Sequence, residues 1–169
     1  LSHPWGPFAG DGNLIKPCRE DVFTVCMGQA SKLETSSDFT EWTFTIRDNL
    51  VWHDGTPFTA EDAKFWLDLS LSGAGDTRRA SNYKGSMGSV AKWEIVGSNQ
   101  VKVTLASPSP AWASSFMSPN HRNAHPKHLM QPEIDSGNAM VAPDKVGYVG
   151  TGPYTLTEYR KGSVIRFQK

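Results

Sequence analysis

The sequence predicts an α+β fold in which a small mixed or antiparallel sheet carries two or three short helices on one side. Residues 42–47 alternate apolar and polar side chains, the period-2 pattern of a strand with one face on a core. Residues 60–71 place apolar side chains on one helical face. Residues 93–105 hold two strand-like runs separated by residues 97–99, which is typical of a hairpin.

A turn is predicted between the first of these strands and the first helix. A short strand is predicted at residues 50–52 and leads into it. The Asp54 side chain can cap the turn, Gly55 is free to take a positive φ, and Pro57 blocks further ladder pairing. The chain must therefore leave the sheet at this point.

Thr59 and Asp62 predict where the helix begins. The Thr59 hydroxyl can accept from the backbone N–H of Asp62 while Asp62 reaches back to Thr59, which is a capping box. Glu61 adds negative charge at the positive end of the helix dipole. The predicted helix covers residues 60–71.

The remaining elements follow from the same patterns. Further strands are predicted at residues 92–96, 101–106, 154–159 and 164–167, a short helix at 110–117, and a single helical turn near 126–130. Residues 131–149 are predicted to be loop.

Charge and motif content argue against several function classes. The 17 basic and 17 acidic residues balance and are dispersed, which leaves no electrostatic footprint for nucleic acid or an anionic membrane. The sequence contains no nucleophile elbow, phosphate-binding P-loop, His-Glu-x-x-His or Gly-x-Gly-x-x-Gly motif. It therefore predicts neither an enzyme nor a cofactor.

Three histidines lie close together, at His121, His125 and His128. The last two could share a helical face and bind zinc, nickel or copper. However, Pro126 pushes the residue before it to an extended backbone, and no nearby Cys, Asp or Glu completes a ligand set. Loop and cap roles are favoured, and no native metal site is predicted.

Several segments, taken in chain order, resemble one protein family. They are HDGTPFTAED at 53–62, the hairpin at 93–105, PSPAW at 108–112, PKH at 126–128 and GTGPY at 150–154. Together they resemble the family 5 extracellular solute-binding proteins, the dipeptide, oligopeptide and nickel receptors of ABC importers. The resemblance covers about residues 40–169, whereas residues 1–39 match poorly.

The resemblance implies an architecture. Family members are longer, two-lobed chains, so this chain is expected to be a fragment of the N-terminal lobe of a periplasmic binding protein type II-like fold. Residues 1–149 would form an accessory subdomain, and residues 150–169 would begin the return strands into the main ligand-binding domain. The turn at residues 53–57 has a structural use in the family, so a local hydrogen bond is favoured over catalysis for His53.

The resemblance also implies a function. The chain would belong to the substrate-binding component of an ABC transporter, binding a peptide or related small solute and delivering it to permease subunits. Its location would be periplasmic or extracellular, at the cell surface in a monoderm, with membrane attachment only through a possible lipid anchor outside this chain. The alternatives are a structural or interaction subdomain without solute contact, and a nickel or metal-chelate receptor.

The segment at residues 72–88 is the predicted ligand-contact loop. It combines charge and an aromatic ring between glycines, which suits the rim of a cleft. By resemblance to nickel-binding relatives, Arg79 and Tyr83 fall near an arginine and an aromatic residue that contact the ligand. The alternative is a solvated surface loop in which Tyr83 packs on the subdomain itself.

The two cysteines, Cys18 and Cys26, are eight residues apart, which is not the Cys-x-x-Cys spacing of a zinc knuckle. For an exported protein, a disulfide between them is favoured, because disulfides persist in oxidising compartments. Two independent buried thiols are the alternative.

Overall fold

The computed structural model describes residues 12–18, 20–21, 24–72, 89–117, 126–137, 149–160 and 162–169. Within these residues it contains eight strands, β1 (Ile15–Pro17), β2 (Val25–Met27), β3 (Ala30–Thr35), β4 (Glu41–Ile46), β5 (Val90–Val96), β6 (Gln100–Leu105), β7 (Thr155–Arg160) and β8 (Val164–Gln168). The α-helices are α1 (Ala60–Leu67) and α2 (Lys127–Asp135). A π-helical turn covers Asp68–Ser72, and a 3₁₀ helix covers Trp112–Met117.

The central sheet has four strands in the order β3-β4-β6-β5, and every neighbouring pair is antiparallel. In β4 and β6 buried and half-buried residues alternate, and Trp42 lies opposite Val103 while Phe44 lies opposite Val101. This alternation gives the sheet one apolar face, to which α1 contributes Ala63 and other buried side chains of the core. The predicted α+β class is confirmed, and the sheet pairs in the described part of the chain are antiparallel rather than mixed.

The start of α1 follows the predicted capping box. Thr59 is the N-cap, and its hydroxyl accepts from the backbone N–H of Glu61 at 3.3 Å as well as from the third helical residue. Asp62 Oδ2 accepts from the backbone N–H of Thr59 at 2.9 Å. Both halves of the box are therefore present.

The end of this helix differs from the prediction. The α-helix stops at Leu67 and continues as the π-helical turn Asp68–Ser72. Leu67 and Leu71 are both buried, and their spacing of four residues suits an α-helix and a wider helix alike. The apolar pattern therefore predicted that the chain is helical as far as Leu71, but it could not show that the last turn is a π-helix.

The turn between β4 and α1 contains no strand at residues 50–52. Val51 makes only an isolated bridge to Pro57, because Pro57 has no N–H to extend a ladder. The backbone of Trp52 instead closes the turn, donating to Thr56 O at 2.8 Å and accepting from Gly55 N at 2.9 Å. Gly55 takes the positive φ that the turn requires, 85°.

The helix α2 runs to Asp135, so the prediction of loop for residues 131–135 was wrong. Pro132 lies inside the helix and removes one backbone donor. Packing compensates for this loss, because Met130 is buried against Phe65 and Leu69, with Ile134 beside them. The short helix predicted at 110–117 is the 3₁₀ helix Trp112–Met117.

Two small two-stranded sheets complete the described structure. In β1–β2, Pro17 pairs with Val25, and a disulfide joins Cys18 to Cys26 with their Cα atoms 5.0 Å apart. In β7–β8, Tyr159 pairs with Ile165, and both side chains are largely exposed. No helix in the described residues is long and apolar enough to cross a bilayer.

Candidate functional site

The predicted ligand-contact residues Arg79 and Tyr83 lie outside the described residues, as do His121 and His125. The structure does place the chain on both sides of the predicted loop. The π-helical turn Asp68–Ser72 precedes it, and β5 begins at Val90. Side-chain contacts join these two flanking elements.

Asp68 links the two sides. Its Oδ1 accepts from the indole Nε1–H of Trp93 on β5 at 2.7 Å. Its Oδ2 lies 2.8 Å from the ammonium of Lys64, one helical turn earlier. Because Asp68 precedes the predicted loop and Trp93 follows it, this hydrogen bond joins the two elements that flank the loop in sequence.

A second junction holds the GTGPY segment against the turn at residues 53–57. The backbone N–H of His53 donates to Gly150 O at 2.9 Å, and Gly150 N–H donates to His53 Nδ1 at 3.2 Å. With Nδ1 acting as an acceptor, Nε2 carries the proton and donates to Gly152 O at 2.8 Å. Both ring nitrogens therefore form hydrogen bonds with backbone atoms, which agrees with a structural role for His53. Their partners are distant in sequence, whereas a local hydrogen bond was predicted.

Gln29 reaches the same segment from the other side. Its side chain is buried, and its Nε2–H donates to Thr151 Oγ at 3.0 Å. Its Oε1 is buried and has no hydrogen-bond partner among the described residues. Sequence reasoning missed this residue, because a glutamine among weakly patterned residues carries no signal of burial.

A surface cavity of about 400 Å³ lies where α1 meets α2. Charged residues from both helices line it, and each of those on the first turn of α2 is paired: Lys127 Nζ lies 2.7 Å from Glu61 Oε2, and His128 Nε2 lies 2.7 Å from Asp54 Oδ2. Burial raises the pKa of Asp54, but hydrogen bonds from His128 and Thr56 outweigh it and lower the pKa below its usual value.

The sequence did not reveal the pairing of Asp54 with His128, because 74 residues separate them. In the structure, His128 uses Nε2 for this carboxylate. Among the described residues, no group of three or more His, Cys, Asp or Glu side chains could hold a metal ion. The hydrogen bonds described above position backbone segments and helices relative to one another.

Residues 25–169 match the sequence model of a family described as bacterial extracellular solute-binding proteins, family 5 Middle. Among curated proteins, an ABC transporter peptide-binding protein of Brucella ovis is 30% identical over 130 residues, covering 77% of this chain and 23% of that protein. The oligopeptide-binding protein OppA of Bacillus subtilis is 28% identical over 159 residues, covering 84% and 27%. The chain therefore spans 23% to 27% of the length of these two relatives.

Solved structures show the same likeness. NikZ of Campylobacter jejuni, in complex with Ni(L-His), superposes with a TM-score of 0.77 at 25% identity, over 95% of this chain and 30% of that one. OppA of Haemophilus influenzae, in complex with the peptide RPPGFSPFR, gives a TM-score of 0.74 at 23% identity, over 96% and 33%. The second likeness concerns the fold alone.

Proposed function

This chain belongs to the family 5 bacterial extracellular solute-binding proteins, and on that premise we propose that it is part of the substrate-binding component of an ABC importer whose ligand is a peptide or a related small solute. The observation that carries the proposal is the family match over residues 25–169. Relatives with peptide-binding descriptions support the peptide class. Delivery to permease subunits, a location outside the cytoplasmic membrane and the absence of catalysis belong to the same proposal.

The proposal includes a division of the chain. Residues 1–149 form an accessory subdomain, and residues 150–169 lead into the main ligand-binding domain. The separate sheet of β7 and β8 supports this division, because within the described part of the chain it shares no ladder with the central sheet. An isolated two-stranded hairpin is only marginally stable in water, and Tyr159 and Ile165 lie exposed and opposite each other, so further protein is expected to cover this hairpin.

Within this receptor, we assign solute contact to Arg79 and Tyr83. The hydrogen bond between Asp68 and Trp93 supports the assignment, since it joins the elements on either side of the segment that carries both residues. Joined flanking elements lower the entropic cost of presenting an aromatic ring and a charge to a ligand.

A metal chelate is the second candidate ligand. The likeness to NikZ, described in complex with Ni(L-His), favours it. A third hypothesis gives residues 72–88 a purely structural role, in which they shape the receptor without contacting the solute.

Calorimetric titration of the full-length protein with short peptides and with nickel–histidine separates these readings. Tyr83→Ala should weaken binding of the true ligand by ~1 kcal/mol or more if the ring packs on it. Arg79→Ala should cause a further loss that shrinks at high salt if its partner is an exposed carboxylate.

Two described residues provide matched controls. Phe39→Ala removes a partly exposed aromatic ring, and Lys92→Ala removes an exposed cation on β5 that pairs with Glu94. Both should leave the affinity unchanged. Wild-type affinity in both loop variants would move residues 72–88 to the structural role.

A further inference from the structure

The attachment of α2 to the rest of the molecule has a small apolar part. Met130 is the buried residue of α2 in the described structure, and it packs with Phe65 and Leu69 of the α1 region, with Ile134 half-buried beside them. This cluster is separate from the main core. Pro126 is buried at the N-cap of α2, and the ring of His128 lies beside Trp52, with the ring centroids 6.3 Å apart. Polar contacts add to this apolar attachment.

The polar part of the attachment is concentrated on the first turn of α2. The backbone N–H of Lys127 donates to Asp62 Oδ1 at 3.2 Å, and its ammonium lies 2.7 Å from Glu61 Oε2. His128 Nε2–H donates to Asp54 Oδ2 at 2.7 Å. Three carboxylates thus face one helix N-terminus and the two basic side chains beside it.

Asp62 supplies the cap that α2 lacks. The N-cap residue of α2 is Pro126, which makes no side-chain cap hydrogen bond. The Asp62 carboxylate is buried against the first turn of α2. A carboxylate at this end of a helix satisfies an unpaired donor and interacts favourably with the helix dipole. Both the hydrogen bond and the dipole interaction are strongest when Asp62 is ionised.

We propose that Asp54, Glu61 and Asp62, with Lys127 and His128, form a charge latch that acid weakens at Asp54: loss of these carboxylate charges releases α2 from α1 while the central sheet stays folded. When the carboxylates are neutral, Lys127 loses its counter-charge, and the dipole of α2 loses its facing negative charge. The cluster around Met130, the buried Pro126 and the contact of the His128 ring with Trp52 then remain.

The direction and the pH range of the acid effect follow from Asp54. The pKa of Asp54 is lowered in the folded state, so its contribution is present above the unfolded pKa and is lost as pH falls through the folded one. The window therefore lies below about pH 4. Asp135 also lines the cavity, from the last turn of α2, and accepts a hydrogen bond from Gln131.

Hydrogen exchange measured by mass spectrometry on the purified protein tests the latch. After correction for intrinsic exchange rates, amides of α2 should lose protection between pH 7 and about pH 3.5, while those of β6 keep theirs. Loss of protection in α2 and β6 together would overturn the proposal, because it would show global acid unfolding.

Amide variants at neutral pH imitate protonation without acid. Asp54→Asn with Glu61→Gln leaves the capping box of α1 intact and should raise exchange in α2 about threefold or more. Asp54→Asn alone should act in the same direction. The matched control is Glu34→Gln, which removes a half-exposed acid from its pair with Lys32 on β3. A double variant that exchanges like Glu34→Gln would also overturn the latch.

Discussion

Asp62 is a single buried carboxylate that serves two helices. Its Oδ2 accepts from the backbone N–H of Thr59 at the start of α1, and its Oδ1 accepts from the backbone N–H of Lys127 at the start of α2. Buried carboxylates are tolerated when their lone pairs are satisfied in this way. The residue therefore couples the local geometry of one helix to the placement of another.

Thr59→Ala should destabilise the protein by ~1 kcal/mol, because the first turn of α1 loses an acceptor for its unpaired N–H groups. The denaturant midpoint measures this loss. Thr59→Ser keeps the hydroxyl and should restore most of the stability. A midpoint that does not move in the alanine variant would count against the cap.

Asp54 predicts a pH dependence of stability. Because its pKa is lowered in the folded state, ionised Asp54 stabilises the protein at neutral pH, and this contribution fades as pH falls below about 4. The difference in midpoint between wild type and Asp54→Asn should therefore be largest near neutrality. Denaturation at several pH values measures it, and an equal difference at pH 3 and pH 7 would refute the assignment.

Some contacts of these residues could be predicted from the sequence, and others could not. The capping box could be predicted because Thr59 and Asp62 are three apart, and helix geometry fixes what that spacing can do. The pair of Asp54 and His128 could not, because no local rule relates residues 74 positions apart. The partners of His53 were missed for the same reason.

Elements with strong patterns were predicted well. The strands β4 and β6 alternate buried and half-buried residues, and the predicted strands lie within one residue of them. The hairpin of β5 and β6 turns through Gly97, whose φ is 65°, in the predicted loop. The hairpin of β7 and β8 was found within a residue as well.

Elements with weak patterns were not predicted. The strands β1 and β2 have three residues each, too few to show alternation. In β3 most side chains are exposed, so its sequence carries little apolar signal. The second half of α2 was missed because Pro132 argues against a helix, whereas contacts of Met130 and Ile134 with Phe65 and Leu69 outweigh it.

The disulfide belongs to the small β1–β2 sheet. Non-reducing mass spectrometry of the exported protein should show a mass two hydrogens below that of the dithiol, with Cys18 linked to Cys26. The bond should stabilise this sheet, because a covalent link restricts the unfolded chain. Quantitative alkylation of both thiols in the native protein would exclude it.

At the scale of the whole molecule, the described chain is a sheet and helix unit with a separate hairpin, and it matches only part of longer relatives. Its balanced charge of 17 basic and 17 acidic residues offers no broad electrostatic attraction for a ligand. Affinity for a small solute must then come from enclosure, and small-ligand sites typically bury about 70–90% of the ligand surface. On the proposed function, this chain would be one wall of such an enclosure and could not provide it alone.

Calorimetric titration of two proteins, the isolated 169-residue chain and the full-length receptor, tests this account most directly. Circular dichroism first establishes that the isolated chain is folded. The full-length receptor should bind its peptide or chelate, whereas the isolated chain should bind no tighter than about millimolar, near −4 kcal/mol. Micromolar binding by the isolated chain would contradict the account, because it would place a complete site within these residues.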